Sequence, residues 1–335
     1  MTERVYCTYF DHNYLSRGVA LYHSMQRHAP GSRLWVLCLS DEACKILVAL
    51  NLPGIVAVSL GDFEAADPEL AATRSSRSIV EYYFTCTAAW MLYVLKKEPN
   101  AEWITYLDGD LYFYQSPEVV FDELKDASVA IIAHRYAPNL KQRRSFGTYN
   151  VGWVGMRNDP DGRAVVQWWR TKCIEWCYDH VDGSRYADQG YLDSFSALSP
   201  RVKSVDNIGA NLAPWNIANY RIDFRGGRVM VDQTPLVFFH FQGLRTAGRW
   251  FIFNSHRVFG APLSRVTRNH IYRLYVNDLI AVEETVRPIL SLDEVRPQAR
   301  SHTLKGWLRS VGLLGYRLLD VVTGRAFFVI RGKVL

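Results

Sequence analysis

The chain has 335 residues, which is enough for one large or two modest domains with a buried core. Hydrophobic residues make up 49% and charged residues 21%, and no apolar stretch reaches the roughly 18 residues that a membrane span needs. The first residues carry charges where a secretory signal would need an apolar segment. We therefore expect a cytoplasmic protein.

The net charge of +6 is concentrated near the C-terminal end of the sequence. Residues 300–335 carry seven Lys or Arg and one acid, Asp320, while acids and bases balance in the rest of the chain. A neutral body with a basic tail argues against nucleic-acid binding by the folded part. The cysteines predict free thiols, because even Cys173 and Cys177, one helical turn apart, have no second Cys or His pair nearby to complete a zinc site.

Strand-like and helix-like segments alternate along the first 110 residues or so. Predicted strands cover Val5–Phe10, Leu34–Leu39, Ile55–Leu60 and Trp103–Leu107. Predicted helices cover Tyr14–His28, a segment capped by Asp41 that runs to about Leu50, and Val80–Lys97. This order predicts an α/β fold in which helices cover both faces of a parallel sheet.

The pattern changes after Asp110. Further strands are predicted at Ser128–Ala133, Tyr149–Met156 and Pro235–Phe241, and further helices at Asp161–Tyr178 and Asp188–Phe195. From about Ser264 the sequence is predicted to be helical and increasingly basic.

The strongest local motif is the segment Ile104–Asp110, in which an apolar strand ends in two carboxylates, Asp108 and Asp110, one residue apart. Ligands of open α/β sheets bind at the carboxyl ends of the strands. Oxygen donors placed there suit Mg²⁺ or Mn²⁺ that bridges phosphate oxygens. The alternative is a strand exit in which Asp and Gly serve only the turn.

Four other polar motifs accompany this segment in a fixed order. They are Phe10-Asp11-His12-Asn13-Tyr14, Tyr149-Asn150-Val151-Gly152, Asp188-Gln189 and His240-Phe241-Gln242-Gly243. With the two aspartates, the set resembles the motifs of GT-A glycosyltransferases. The resemblance is strongest to glycosyltransferase family 8, the glycogenin and bacterial lipopolysaccharide galactosyltransferase group, and to related bacterial surface-polysaccharide transferases. It spans roughly residues 4–250 and implies a GT-A, Rossmann-like fold whose mixed, mostly parallel sheet is flanked by helices.

The resemblance implies a metal site and a nucleotide site. The implied ligands of Mn²⁺ or Mg²⁺ are Asp108, Asp110 and His240. The implied nucleotide-binding residues are Phe10, Asp11, Asn13, Tyr14 and, beside the metal, Asp108. A basic residue before the long helix, Arg77 or Arg74, would contact the diphosphate.

The resemblance also implies residues at the donor sugar. Asn150 would contact the sugar, and Asp188 with Gln189 would form the catalytic pair. Gly190 and Asp193 depart from the family's Asp-Gln-Asp-x-Leu-Asn pattern, which weakens any role for the third position. After His240, Thr246 stands where the family has a lysine, so a nearby arginine, Arg245 or Arg249, is expected to hold the phosphate instead. Gly243 is expected to belong to the same nucleotide site.

Each motif taken alone has a simpler interpretation. Asn13 and Asp188 suit helix N-caps, His240 suits a packed residue after an apolar strand, and the arginines suit solvated surface positions. Trp215, in the polar and aromatic segment Asn211–Asn216, suits either an acceptor-sugar platform or a structural turn.

We therefore predict a metal-dependent glycosyltransferase that moves a sugar from a nucleoside diphosphate sugar, expected to be a UDP-sugar, to a hydroxyl of a glycan or glycolipid. The resemblance implies retention of configuration and a role in bacterial surface polysaccharide or lipopolysaccharide synthesis. An inverting enzyme would instead need Asp188 or Asp193 as general base. Two alternatives are an inactive nucleotide-sugar or glycan binding protein and a sugar-phosphate nucleotidylyltransferase. Phe10–Arg17 disfavours the latter because it contains no glycine for a phosphate loop.

The predicted catalytic domain covers residues 1–260, with a nucleotide-binding half (1–115) and a donor-sugar and acceptor half (116–260), followed by a helical, basic C-terminal region (261–335). In that region apolar residues recur at helical spacing, at Trp307, Leu308, Val311, Leu314 and Leu318, beside the cations Lys305, Arg309 and Arg317. Such a helix suits the inner face of the cytoplasmic membrane, with Ala326–Ile330 as a second apolar anchor. The alternative is that the stripe packs on the catalytic domain or on a second subunit.

Overall fold

The computed structural model describes residues 4–290, 320, 324–330 and 333–334. Its strands are β1 (Arg4–Phe10), β2 (Arg33–Cys38), β3 (Ile55–Ser59), β4 (Trp103–Leu107), β5 (Leu111–Phe113), β6 (Val129–Ala133), β7 (Tyr149–Arg157), β8 (Val202–Ser204), β9 (Ile222–Arg225), β10 (Arg228–Val231), β11 (Thr234–Pro235), β12 (Phe238–His240), β13 (Leu244–Ala247), β14 (Trp250–Phe253), β15 (Ala326–Ile330) and β16 (Lys333–Val334). Its α-helices are α1 (Leu15–His28), α2 (Asp41–Leu50), α3 (Leu60–Ala66), α4 (Pro68–Ala72), α5 (Ile79–Lys97), α6 (Glu118–Phe121), α7 (Pro160–Glu175), α8 (Phe195–Leu198), α9 (Asn254–Val258) and α10 (Arg273–Leu290).

The central sheet has seven strands in the order β3-β2-β1-β4-β7-β6-β8. Strands β3, β2, β1 and β4 are parallel, β7 runs against both of its neighbours, and β6 is parallel to β8. Helices α5 and α7 pack together on one face, and α1 packs against α10 on the other. The predicted fold class, a mixed and mostly parallel sheet flanked by helices, is confirmed.

Local sequence explains where the main helices begin. Helix α5 starts with a capping box, in which the Ser78 hydroxyl accepts from the Glu81 backbone N–H and the Glu81 carboxylate accepts from the Ser78 N–H. Helix α2 is capped by Ser40, whose hydroxyl accepts from the Ala43 N–H at 3.3 Å. The prediction that Asp41 is the cap was wrong by one residue. Asp41 lies in the first turn, where its charge favours the helix dipole.

Two short strands bring distant parts of the chain together at the end of β4. Strand β12 pairs antiparallel with β5, so that His240 lies opposite Leu111, the residue after Asp110. The Phe241 N–H also donates to the Asp110 carbonyl at 3.0 Å. This register fixes an imidazole beside the two carboxylates, although the residues lie 130 positions apart in sequence.

Several elements differ from the sequence prediction. The predicted strand Pro235–Phe241 divides into β11 and β12, which pair with different partners. The predicted helix Asp188–Phe195 is a 3₁₀ turn (Gln189–Ser194) followed by α8. Strands β5, β8 to β10, β13 and β14 were not predicted, because they are three or four residues long and carry no clear alternation.

The later part of the chain adds a second sheet, with strand order β13-β14-β15-β16. Strand β15 is the Ala326–Ile330 run, and its Ala326, Phe327 and Val329 side chains are buried. The run therefore packs in the protein, and its prediction as a membrane anchor was wrong. The apolar stripe from Trp307 to Leu318 lies outside the described residues, and no helix of the described ranges is long and apolar enough to span a bilayer.

Candidate functional site

A cavity of about 570 Å³ opens at the carboxyl ends of the central strands. Phe10 and Leu39, at the ends of β1 and β2, mark one end of it, and Asp108 and Asp110 follow β4 at its floor. His134 after β6 and Asn150 in β7 line the other end. The strand order therefore defines two ends of the cavity, a β1–β2 end and a β7–β6 end, with the two carboxylates between them.

The floor of the cavity holds a cluster of two carboxylates and an imidazole. The ligand atoms of Asp108, Asp110 and His240 all lie within 4.8 Å of one another. His240 Nε2 is 3.1 Å from Asp110 Oδ1 and 3.6 Å from Asp108 Oδ2, and the Tyr106 hydroxyl donates to Asp108 Oδ1 at 2.9 Å. Two oxygen donors and one borderline nitrogen donor suit Mn²⁺ or Mg²⁺, so the three residues fit the predicted metal site.

Electrostatics at the floor support a site for positive charge. Burial alone would lower the pKa of His240, but the neighbouring Asp110 and Asp108 outweigh it and raise that pKa. Burial also opposes ionisation of Asp110, yet His240 and Arg17 bring the pKa of Asp110 below its ordinary value. The pKa of Asp108 is raised, first by burial. The cluster thus depends on a cation for compensation, whether a proton on His240 or a metal.

A chain of hydrogen bonds orients the imidazole toward the carboxylates. Asn150 Oδ1 lies 3.2 Å from His240 Nδ1, and the Asn150 amide donates to Gln189 Oε1 at 3.3 Å. The amide nitrogen of Asn150 is also 3.4 Å from His134 Nε2, and burial lowers the pKa of His134 to about 3, so this ring stays neutral. With Nδ1–H donated to Asn150, the Nε2 lone pair of His240 is left for a metal.

Steric contacts explain why the Asn-x-Gly motif has a glycine at position 152. A Cβ on Gly152 would lie 2.7 Å from Asn150 Oδ1 and 2.8 Å from His240 Cε1. Any side chain at this position would therefore displace the amide or the imidazole.

The Asp188 side chain is almost fully buried on the wall above the floor. The Thr87 hydroxyl donates to Asp188 Oδ2 at 2.7 Å, and the Trp169 indole donates to the Asp188 carbonyl at 2.8 Å. Burial raises the pKa of Asp188 to about 7, with the Thr87 hydrogen bond acting in the opposite direction. The preceding residue, Ala187, adopts a φ of 45°, a conformation that is rare for residues with a Cβ and is often found at functional sites.

The Gln189 side chain is held in place by backbone groups. Its amide nitrogen donates to the Phe146 carbonyl at 2.7 Å, and its Oε1 accepts from the Val151 N–H at 3.3 Å. Gln189 lines the cavity together with Asp188, so the structure brings the predicted catalytic pair to one wall.

The β1–β2 end of the cavity is aromatic and carries one acid. The lining side chains there are Tyr9, Phe10, Asp11, Tyr14, Tyr83 and Phe84. The Asp11 carboxylate accepts from the backbone N–H groups of Asn13 and Tyr14 at 2.9 and 3.2 Å. Asn13 itself does not line the cavity, and its amide donates to Asp11 Oδ2 at 3.0 Å. Asn13 therefore orients Asp11, and neither residue acts as a side-chain cap of α1, whose N-cap is Tyr14.

Three predicted phosphate-binding residues lie outside the cavity lining. The Arg77 guanidinium donates to the Cys173 and Ile174 carbonyls at 3.0 and 2.8 Å. Arg245 is exposed on β13. Gly243 forms the turn after β12 with a φ of 73°, and a Cβ there would lie 2.0 Å from Ser255 Oγ. The positions of Arg77 and Arg245 give no support to a phosphate contact, and Gly243 is explained by its turn.

Two other sequence candidates are also engaged elsewhere. Asp193, the second candidate general base, is exposed, and its carboxylate accepts from the Thr148 N–H at 3.0 Å. Trp215 lines the cavity, but it is buried and its indole donates to the His134 carbonyl at 2.9 Å. Trp215 thus forms a fixed wall beside His240, with 5.0 Å between the two ring centroids.

Several lining residues were missed by sequence reasoning. At the β7–β6 end these are His134, Tyr136, Arg143, Phe146, Tyr186 and Phe259. They come from loops and turns, where no periodic pattern marks a side chain as facing a ligand. No pattern in the sequence distinguishes Arg143 from its basic neighbours Lys141 and Arg144, or predicts the stacked rings of His134 and Tyr136.

No family model matches the chain. Two proteins of Bacillus subtilis (strain 168), both uncharacterized, are similar in sequence. YfnD is 34% identical over 241 residues, which cover 71% of this chain and 77% of YfnD. YfnF is 30% identical over 248 residues, which cover 72% of this chain and 81% of YfnF. The chain belongs to the family of these two Bacillus proteins.

Solved structures with a similar chain path include several glycosyltransferases. The galactosyltransferase LgtC, in complex with donor and acceptor sugar analogs, shares 16% identity and covers 79% of this chain and 99% of its own, at a TM-score of 0.48. Mouse xyloside xylosyltransferase 1 shares 15% identity, covering 73% and 99% at a TM-score of 0.46.

Proposed function

We propose that the protein is a metal-dependent glycosyltransferase that uses a nucleoside diphosphate sugar as donor. The observation that carries this proposal is the convergence of Asp108, Asp110 and His240 at the floor of a cavity with an aromatic end and a polar end. A divalent cation there would be held by two carboxylate oxygens and one imidazole nitrogen. When bound, it would neutralise the charge that develops on a leaving diphosphate.

The residues at the two ends of the cavity support one orientation of the donor, with its base at the β1–β2 end and its sugar at the β7–β6 end. The aromatic β1–β2 end, with Phe10, Tyr14 and Tyr83, offers ring faces for a base, and Asp11 offers an acceptor for a ring or ribose donor. The diphosphate would then lie at the carboxylate cluster, and the sugar beyond it, beside Asn150 and Asp188. We propose a UDP-sugar, because a carboxylate accepts the ring N–H of uracil.

Asp188 and Gln189 are proposed to act on the sugar side of the reaction. Gln189 is fixed by the Phe146 and Val151 backbone and presents a neutral dipole. Asp188, with a pKa of about 7, can hold or release a proton near neutral pH, which suits hydrogen bonding to a sugar hydroxyl. We propose retention of configuration, in which the acceptor hydroxyl enters on the face that the diphosphate leaves.

The acceptor is proposed to be a glycan or glycolipid in bacterial surface polysaccharide or lipopolysaccharide synthesis. Support comes from the motif order and from the basic sequence of residues 300–335, which suits the inner face of the cytoplasmic membrane.

Donor binding can be tested by thermal unfolding with UDP-, GDP- and dTDP-sugars, each with and without Mn²⁺. A ligand that binds the native state raises the melting temperature, and at about 100 times its Kd it stabilises by about 2.7 kcal/mol. We expect a rise with UDP-sugars that requires Mn²⁺. A set of flat responses to every nucleotide would refute the proposed donor class, and a rise without Mn²⁺ dependence would refute the metal site.

A further inference from the structure

The β7–β6 end of the cavity contains one positively charged side chain, Arg143, for which the proposed donor provides no negatively charged group. Among the described residues that line the cavity, Arg143 is the only Arg or Lys. It lies in the 3₁₀ segment Pro138–Phe146 between β6 and β7, and its guanidinium carbon is 4.8 Å from the centre of the Phe259 ring. The Asn139 amide also donates to the Phe259 carbonyl at 3.4 Å, so the segment is attached to the wall that it covers.

The position of Arg143 in the cavity separates it from the nucleotide. The base is proposed to lie at the end marked by Phe10 and Leu39, and the diphosphate at the carboxylate cluster. Arg143 lies on the loop that joins β6 to β7, at the opposite end of the strand order. A group that contacts Arg143 therefore lies past the cluster, on the carbohydrate side of the reaction.

Two further cations lie on the same segment as Arg143. Lys141 and Arg144, on the same segment, are exposed to solvent. Residues 127–158 and 233–277, which supply the segment and Phe259, contain no Asp or Glu. Within the part of the chain that the structure describes, no carboxylate forms an ion pair with Lys141, Arg143 or Arg144.

We propose that the acceptor is an anionic saccharide, whose phosphate binds Arg143 and whose further negative charges meet Lys141 and Arg144. This proposal rests on the proposed glycosyltransferase function. A guanidinium stacked on an aromatic ring keeps its N–H edge free for a bidentate contact with phosphate oxygens. Because Lys141 and Arg144 are exposed, their charges favour a ligand that extends out of the cavity. Of the two substrates, the acceptor is the one expected to extend out of it.

The test is a calorimetric titration with N-acetylglucosamine 1-phosphate and with N-acetylglucosamine, in saturating UDP and Mn²⁺. The proteins are the wild type, Arg143→Gln and the matched control Arg228→Gln, which changes an exposed arginine on β10. We expect the phosphorylated sugar to bind wild type at least about tenfold more tightly than the neutral sugar. That advantage should shrink at high salt, disappear in Arg143→Gln and persist in Arg228→Gln.

Affinity for UDP with Mn²⁺ should be equal in all three proteins, and this measurement separates the two proposals. Wild-type protein that binds no UDP would refute the proposed function itself. If UDP affinity falls about tenfold in Arg143→Gln alone, Arg143 belongs to the nucleotide site and the acceptor proposal is overturned. The proposal is also overturned if the phosphorylated sugar binds no more tightly than the neutral sugar. It is overturned as well if UDP-glucuronic acid binds more tightly than UDP-glucose and Arg143→Gln removes that difference, because Arg143 would then contact the donor sugar.

Discussion

At the scale of single residues, burial of the Asp188 carboxyl group makes its ionisation unfavourable in the folded protein. The folded protein holds its proton up to a pKa of about 7, whereas the unfolded chain releases it near the ordinary value of 3.8. The neutral carboxyl therefore favours the folded state below about pH 4, and this contribution is lost as the pH rises toward and through 7. A buried carboxylate that is costly to ionise is typical of residues retained for function.

We predict that Asp188→Asn increases the free energy of unfolding at pH 8 by about 1–3 kcal/mol, because an amide cannot ionise in the buried site. At pH 4 the difference between the two proteins should be small. Chemical denaturation at both pH values measures this effect. Equal pH dependence of stability in the variant and the wild type would show that Asp188 ionises without cost, and the assigned burial effect would be wrong.

A second residue-scale prediction concerns Gly152. Gly152→Ala places a Cβ against Asn150 Oδ1 and the His240 ring, so the imidazole can no longer hold its position. We expect Mn²⁺ affinity to fall by about 10–100-fold, as for other losses of support to a metal ligand. Gly61→Ala is the matched control, because its nearest neighbour would be 3.9 Å away. Titration of Mn²⁺ by electron paramagnetic resonance gives both affinities, and equal values would contradict the role of the Asn150–His240 contact.

The residues of the floor could be predicted from sequence because strand chemistry and motif order agree there. An apolar strand ending in Asp108 and Asp110 delivers both carboxylates to the ligand-binding edge, whatever the details of packing. Arg77 could not be assigned in the same way. Its long side chain could contact solvent, a phosphate or another helix, and the sequence does not distinguish these. In the structure, the packing of α5 on α7 places it beside the Cys173 carbonyl.

At the scale of elements, Arg77 links the start of α5 to the end of α7. It donates to two carbonyls in the last turn of α7, which have no partners within that helix. Arg77→Met should therefore lower the free energy of unfolding by about 1–3 kcal/mol, and leave UDP affinity unchanged. Denaturation and UDP titration of the same variant test this prediction. Normal stability with a large loss of UDP affinity would instead establish the phosphate contact expected from the sequence.

The strands that complete the site explain why its second half was harder to predict. Strand β5 has three residues and β12 has three, and neither shows the alternation or length that identifies a strand. Their register nevertheless sets His240 beside Asp110. The long first-half elements, such as β4 and α5, were predicted to within a residue because their apolar periodicity and caps are local signals.

At the scale of the whole molecule, the central sheet was predictable and the arrangement of the second sheet was not. The pairing of β15 with β14 joins Ala326 to Ile252 across more than 70 positions, and local sequence patterns cannot predict such long-range pairing. The division into residues 1–260 and 261–335 stays a prediction. Helix α10 and strand β15 both pack against elements of the first range.

The proposed membrane contact is tested best without deleting the C-terminal region, because removal of β15 would expose the buried partners that it covers on β14. Changing Lys305, Arg309 and Arg317 together to Gln keeps the chain intact. We expect sedimentation with anionic vesicles to fall, since each basic residue near such a surface contributes about 1 kcal/mol. Equal sedimentation of the variant and the wild type, or binding of the wild type that is insensitive to salt, would refute the membrane contact.

Metal-dependent glycosyl transfer is tested most directly by hydrolysis of nucleotide sugars by wild-type protein and by Asp110→Asn, with and without Mn²⁺. We predict that at least one UDP-sugar is slowly hydrolysed in the absence of acceptor, that Mn²⁺ is required, and that Asp110→Asn loses at least about 100-fold in rate. The variant should unfold at nearly the wild-type temperature. A wild-type protein that binds UDP-sugars but never turns them over would contradict the glycosyltransferase activity. An Asp110→Asn variant with near-normal rates in Mn²⁺ would contradict the metal site.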